Sequence, residues 1–104
     1  MFRQVNDLAG LGSAEQELGQ LESLLGNHTA AQEQLDMSLG HFTDAKDKSG
    51  EANALLALGN VKVTTGSLAA AVDDLQRACR TFVMLSDKKG QGACQLLEAQ
   101  AKIR

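Results

Sequence analysis

The sequence contains no proline, no tryptophan and no tyrosine, and its only aromatic residues are three phenylalanines. A sandwich or barrel made without aromatic and β-branched runs would lack the side chains that pack best on a pleated surface. What remains is rich in Ala, Leu, Gln and Glu, residues that lose little on entering a helix. Long apolar runs are also missing, and none approaches the roughly 20 residues that a membrane-spanning helix needs. The opening stretch, Met1-Phe2-Arg3-Gln4, leads directly into polar sequence and does not read as a secretory leader. Neither sign of charge dominates, the formal net charge being −3. That balance gives no electrostatic ground for a nucleic-acid partner or an anionic membrane. Cysteine is scarce too. Cys79 and Cys94 have pairing open to them, but reduced, buried thiols in a cytoplasmic chain are the expectation. At 104 residues the chain has room for one domain with a modest core.

What is present is a repeat. Laid on itself at an offset of 40 residues, the sequence aligns without insertion, and about a quarter of the pairs are identical. Phe2, Phe42 and Phe82 align, as do Asp7, Asp47 and Asp87, and Gly10, Gly50 and Gly90. Leu18 matches Leu58, Gly19 matches Gly59, and Gly26 matches Gly66; Ala30, Ala31 and Leu35 match Ala70, Ala71 and Leu75. Periods of this size mark stacked units that bury their apolar faces against one another. The register divides the chain into the end of one repeat at 1–9, repeats at 10–49 and 50–89, and the first helix of an incomplete repeat at 90–104.

Each unit reads as helix, tight turn, helix. Ala54, Leu55, Leu58 and Val61 fall at helical spacing, and Gly66 is placed to end that helix in a left-handed conformation. Ser67, like Asn27 before it, is placed to cap the next helix. A stripe of Leu68, Ala71, Val72, Leu75, Ala78, Cys79, Phe82 and Leu85 then runs through five turns. Lys88 and Lys89 are expected near the end of that helix, where positive charge suits the dipole, with Asp87–Gly92 as the loop beyond. The predicted elements are a short helix end at 2–8 and helices at 12–25, 28–47, 51–65, 68–87 and 91–103.

Leu58-Gly59 in a first helix, Gly66 at the turn, and Ala71, Leu75 and Ala78 in a second helix resemble the tetratricopeptide repeat (TPR) signature. Leu18, Gly19, Gly26, Ala31, Leu35 and Ser38 repeat it upstream. A usual unit has about 34 residues. The longer period, with Asp87-Lys88-Lys89-Gly90 between units, resembles the subgroup that includes partner-of-inscuteable-type adaptors. The resemblance implies an all-α chain, about five helices plus the short N-terminal end, in which antiparallel helix-turn-helix units stack as a right-handed superhelix. It also implies a close crossing at which Gly59 faces Ala71. Gly40, by contrast, matches Arg80 and has no evident packing role. At the positions where the family often places bulky aromatics, this chain has Leu55 and Lys62, and Glu15 and Glu22.

The resemblance further implies a protein–protein interaction module, with a concave groove that takes an extended or helical partner segment. By register that groove is lined by Gln16, Gln20 and Ser23, then Leu56, Asn60 and Val63, then Leu96, Gln100 and Ile103. Amides there would bond a partner's backbone, and apolar residues would receive its side chains. A chaperone C-terminal carboxylate tail is not expected as the partner. The cations that would clamp it are replaced by Leu56, Ala57, Gln16 and Glu17. The second expectation is self-association, in which Phe2 at one end and Leu96, Leu97 and Ile103 at the other join two copies as a homo-oligomer. Catalysis, cofactors and metal are not expected: His28 and His41 are far apart, Asp73 and Asp74 read as solvated, and no short-spaced ligand set exists. Gly10-Leu11-Gly12 follows no strand and reads as an inter-repeat loop.

Overall fold

The computed structural model describes the backbone of residues 2–103 and the side chains of 8–97 and 99. It is all-α. The helices are α1 (Phe2–Leu24), α2 (His28–Asp44), α3 (Lys48–Thr65), α4 (Leu68–Met84) and α5 (Lys88–Ile103), with no strand among the described residues. Consecutive helices pack on one another through turns of three residues or fewer, which makes neighbours antiparallel. α3 also touches α1 on one side and α5 on the other, whereas α2 and α4 do not meet among the described residues. The odd-numbered helices therefore form one layer and the even-numbered helices the other, in a slab of 45 × 31 × 18 Å.

The four turns share one geometry at intervals of 20 residues. The amides of Asn27, Asp47, Ser67 and Asp87 each donate to the carbonyl five residues back, at Glu22, Phe42, Lys62 and Phe82, over 2.8–2.9 Å. This is the Schellman closure, and it requires a left-handed residue just before the donor. Gly26 and Gly66 supply it at φ 87° and 89°, as the sequence indicated. Lys46 and Ser86 supply it at φ 58° and 56°, without glycine's freedom and without a signal in their side chains.

The capping differs from expectation. Asn27 and Ser67 make no side-chain cap, and Asn27 instead donates to Glu22. Asp47 and Asp87 do cap, each accepting at 3.0 Å from the backbone amide three residues on, Gly50 and Gly90. Because α5 starts at Lys88, the two lysines sit in its first turn and oppose the dipole instead of closing α4. The break expected between 8 and 12 is also absent: α1 runs unbroken through Gly10 and Gly12.

Within each helix pair, a leucine of the second helix presses on the backbone of the first. A Cβ placed on Gly19 would lie 2.7 Å from Leu35 Cγ, and one on Gly59 would lie 2.6 Å from Leu75 Cδ2. Gly59 therefore meets Leu75, with only the carbonyl of Ala71 nearby at 3.5 Å. Only glycine leaves room for these leucines, which are fully buried. Between pairs, a phenylalanine takes the same part. A Cβ on Gly50 would fall within the ring of Phe42, and one on Gly90 within the ring of Phe82. Phe42 also lies on Gly12, at 3.2 Å from an added Cβ, and Phe82 packs with Ala52.

Of the signature residues, Ala31, Leu35, Leu58, Ala71, Leu75 and Ala78 are buried and the glycines act as stated; Leu18 is half-exposed, unlike its counterpart Leu58. Two polar contacts fix the pairs further. Ser38 donates to the Gly12 carbonyl at 2.7 Å, and Lys62 pairs with Asp74, which is buried rather than solvated.

Cys79 and Cys94 are joined in a disulfide between α4 and α5, which corrects the expectation of reduced thiols. Their Cα atoms are 5.9 Å apart, because the turn at Asp87 folds α5 back along α4. Where α3 has Leu55, Leu58 and Val61, α5 has Gln95, Glu98 and Ala101. The bond thus clamps a helix whose sequence has polar or small residues at positions where α3 has apolar ones.

Gly59→Leu is expected to cost about 3 kcal/mol by overpacking against Leu75, lowering the Tm by more than roughly 10 °C. Gly40 has nothing within 4 Å of an added Cβ, so Gly40→Ala is expected to gain about 1 kcal/mol. Melting curves of equal or reversed order would refute the close crossing. Cys94→Ser is expected to lose about 3 kcal/mol, the value for closing a loop of this length. Amide exchange should rise in α5 before the rest; uniform exchange would show that the bond clamps nothing.

Candidate functional site

The edge-to-edge contact of α1 with α3 leaves two adjoining cavities on one face of the odd-helix layer. One, of about 370 Å³, is bounded by Ser13, Gln16, Glu17 and Gln20 of α1, by Ser49, Gly50 and Asn53 of α3, and by Phe42 and Asp47. The other, of about 280 Å³, lies between Gln20, Ser23 and Leu24 of α1 and Ala57, Asn60 and Val61 of α3. Gln20 borders both, so they form one trough along the two helices. Residues 16, 20 and 23 share a face because each step is close to a helical turn, and 53, 57 and 60 do the same on α3.

The structure thus brings together Gln16, Gln20, Ser23 and Asn60 of the residues anticipated for a groove. It adds Asn53, whose signal was available in its position seven residues before Asn60 on the same face. Three anticipated residues lie elsewhere. Val63 is 3% exposed and packs with Ala71 and Leu75, so it belongs to the core. Leu56 is half-buried between that cluster and the one around Phe82. Both point between layers because α3, with neighbours on both sides, has less free surface than α1. Leu96 is exposed on α5 but borders neither cavity. The side chains of Gln100 and Ile103, and of Phe2, lie outside the described residues.

The trough is polar and acidic. Its linings carry four side-chain amides together with Glu17 and Asp47, and no lysine or arginine among the described residues. Amides offer both donors and acceptors, which suits them to a peptide backbone. A free carboxylate would meet like charge and no cation.

Behind the trough, Glu15 of α1 is 5% exposed and its carboxylate meets Nδ1 of His41 on α2. In the next repeat these positions hold Leu55 and Thr81, and Leu55 packs with Ala52, Ala78 and Phe82 in an apolar cluster. His28 opens α2 half-buried, and its Nδ1 is buried with no partner among the described residues. No three His, Cys, Asp or Glu residues gather as metal ligands among the described residues. No described helix is long and apolar enough to cross a membrane. Compared with known proteins, the chain matches no family model, no curated protein and no solved structure.

Glu15→Ala is expected to cost about 2–3 kcal/mol by leaving His41 facing an apolar gap. The double change Glu15→Leu, His41→Thr, which copies the next repeat, should return stability to within about 1 kcal/mol of the starting chain. Urea unfolding of the three chains decides the matter. A double variant as weak as the single would show that the pair is not interchangeable with an apolar contact.

Proposed function

We propose that the chain is a protein-interaction module of the tetratricopeptide type, which holds an extended or helical segment of a partner protein in the α1–α3 trough. The observation that carries this reading is the row of Gln16, Gln20, Asn53 and Asn60 along two adjoining cavities. Two helices fixed by close glycine contacts hold these amides in place before any ligand arrives, so little ordering is needed on binding. The helix-pair architecture and the 40-residue period support the assignment to that repeat type.

The chemistry of the lining narrows the partner. Glu17 and Asp47 favour a neutral or basic segment, and the absence of lining cations speaks against an acidic tail ending in a free carboxylate. Leu24, Ala57 and Val61 at one end of the trough offer an apolar seat for one or two side chains. The proposed activity is binding, with no chemical step.

The reading is tested by selecting 12-residue peptides from a displayed library on the immobilised chain. Gln20→Ala combined with Asn60→Ala alters two exposed residues and should leave the helices intact. Selected peptides are expected to be enriched in lysine or arginine and to bind this variant at least tenfold more weakly, the loss of about 1.4 kcal/mol. Peptides held equally well by both chains would place the contact elsewhere and overturn the proposal.

A further inference from the structure

We infer that the outer face of α1 docks one more amphipathic helix of the α2 and α4 pattern, supplied by a partner protein. The face consists of Leu11, Ala14, Leu18 and Leu21, continued by Leu25, at alternating spacings of three and four. It lies on the side of α1 turned away from Gln16 and Gln20, so it does not rest on the reading of the trough. Leu11, Leu18 and Leu21 are 47%, 49% and 51% exposed.

The repeat itself shows what belongs there. Forty residues on, Leu18 and Leu21 become Leu58 and Val61, each 2% exposed. What covers them is α2, through Ala31, Leu35 and Leu39. An end face turned to water is ordinarily polar. Here the flanks run the other way: α3 has Glu51 and Thr65 at the positions matching Leu11 of α1 and Leu25 just beyond it. The face of α1 is therefore more apolar than its buried counterpart.

At its edge, Gly50 and Gly90 lie beneath the rings of Phe42 and Phe82, whereas an added Cβ on Gly10 meets nothing within 4 Å among the described residues. Gly10 thus offers the same flat seat to a ring from the docking helix. Between residues 8 and 27 the charged side chains are Glu15, Glu17 and Glu22, with no lysine or arginine.

The occupant follows from these contacts. It is a helix with a small residue, leucine, leucine and phenylalanine at i, i+4, i+8 and i+11, as in Ala31, Leu35, Leu39 and Phe42. A second copy of this chain does not fit. Its own helices of that pattern already bury the ridge, with Ala31, Leu35, Ala71 and Leu75 at 0% exposure.

The probe is a fluorescent synthetic peptide with the sequence of residues 28–47, titrated with the full chain and followed by anisotropy. Saturable binding is expected, at least tenfold weaker to Leu18→Glu and to Leu11→Glu and unchanged by Gln20→Ala. Leu11 and Leu18 are half-exposed, so both variants should keep the helical circular dichroism. A probe with Phe42→Ala should also bind more weakly. No binding, or equal binding to Leu18→Glu and Leu11→Glu, overturns the inference. A mass that doubles with concentration and returns to monomer in Leu18→Glu also overturns it, because the face would then belong to a second copy.

Discussion

The fold depends on side chains being allowed to touch backbone. Leu35 and Leu75 reach the main chain of the neighbouring helix, and only glycine at positions 19 and 59 leaves room for them. A glycine in mid-helix costs about 1 kcal/mol against alanine. Burial of a whole leucine, worth roughly 1.5–3 kcal/mol, outweighs that cost. The same exchange recurs between units, where the rings of Phe42 and Phe82 lie flat on Gly50 and Gly90. Ring and branched side chains thus do the wedging in both directions of the stack, with small residues beneath them.

Once the helices are held at these distances, the turns have little freedom. Each must reverse the chain within three residues, and the Schellman closure does so at 26, 46, 66 and 86 alike. Glycine occupies only the two turns inside a helix pair. Between pairs, Lys46 and Ser86 accept a left-handed conformation that costs an ordinary residue about 1–2 kcal/mol. Asp47 and Asp87 offset part of that by capping the next helix. At the far end, α5 has exchanged apolar residues for polar ones, and a covalent bond from Cys79 to Cys94 holds it instead.

The trough and the outer face of α1 are consequences of the same layering. Among the described residues α1 meets only α3 in its own layer, so one of its sides forms the polar trough and the opposite side keeps its leucines uncovered. The trough was partly legible in the sequence, because Gln16, Gln20 and Asn60 fall on helix faces that periodicity identifies. Val63 and Leu56 were misplaced for a physical reason. The register treats α1 and α3 as equivalent, but α3 is flanked on both sides and closes over residues that α1 leaves open.

What the sequence determined by itself was the helical class, the unit length and the places where backbones must come close. All three follow from local rules: propensity, apolar spacing, and glycine recurring in a fixed register. Only the tertiary structure decided which copies of a repeated position are buried, since that depends on neighbours rather than on residue type. It made Leu58 core and left Leu18 at the surface, buried Asp74 beside Lys62, and brought Cys79 to Cys94 across a turn. It also carried α1 unbroken through a stretch whose later copies contain a turn. Identical sequence signals acquire different meanings at the middle and at the ends of a stack, because burial is a property of the pair and not of the residue.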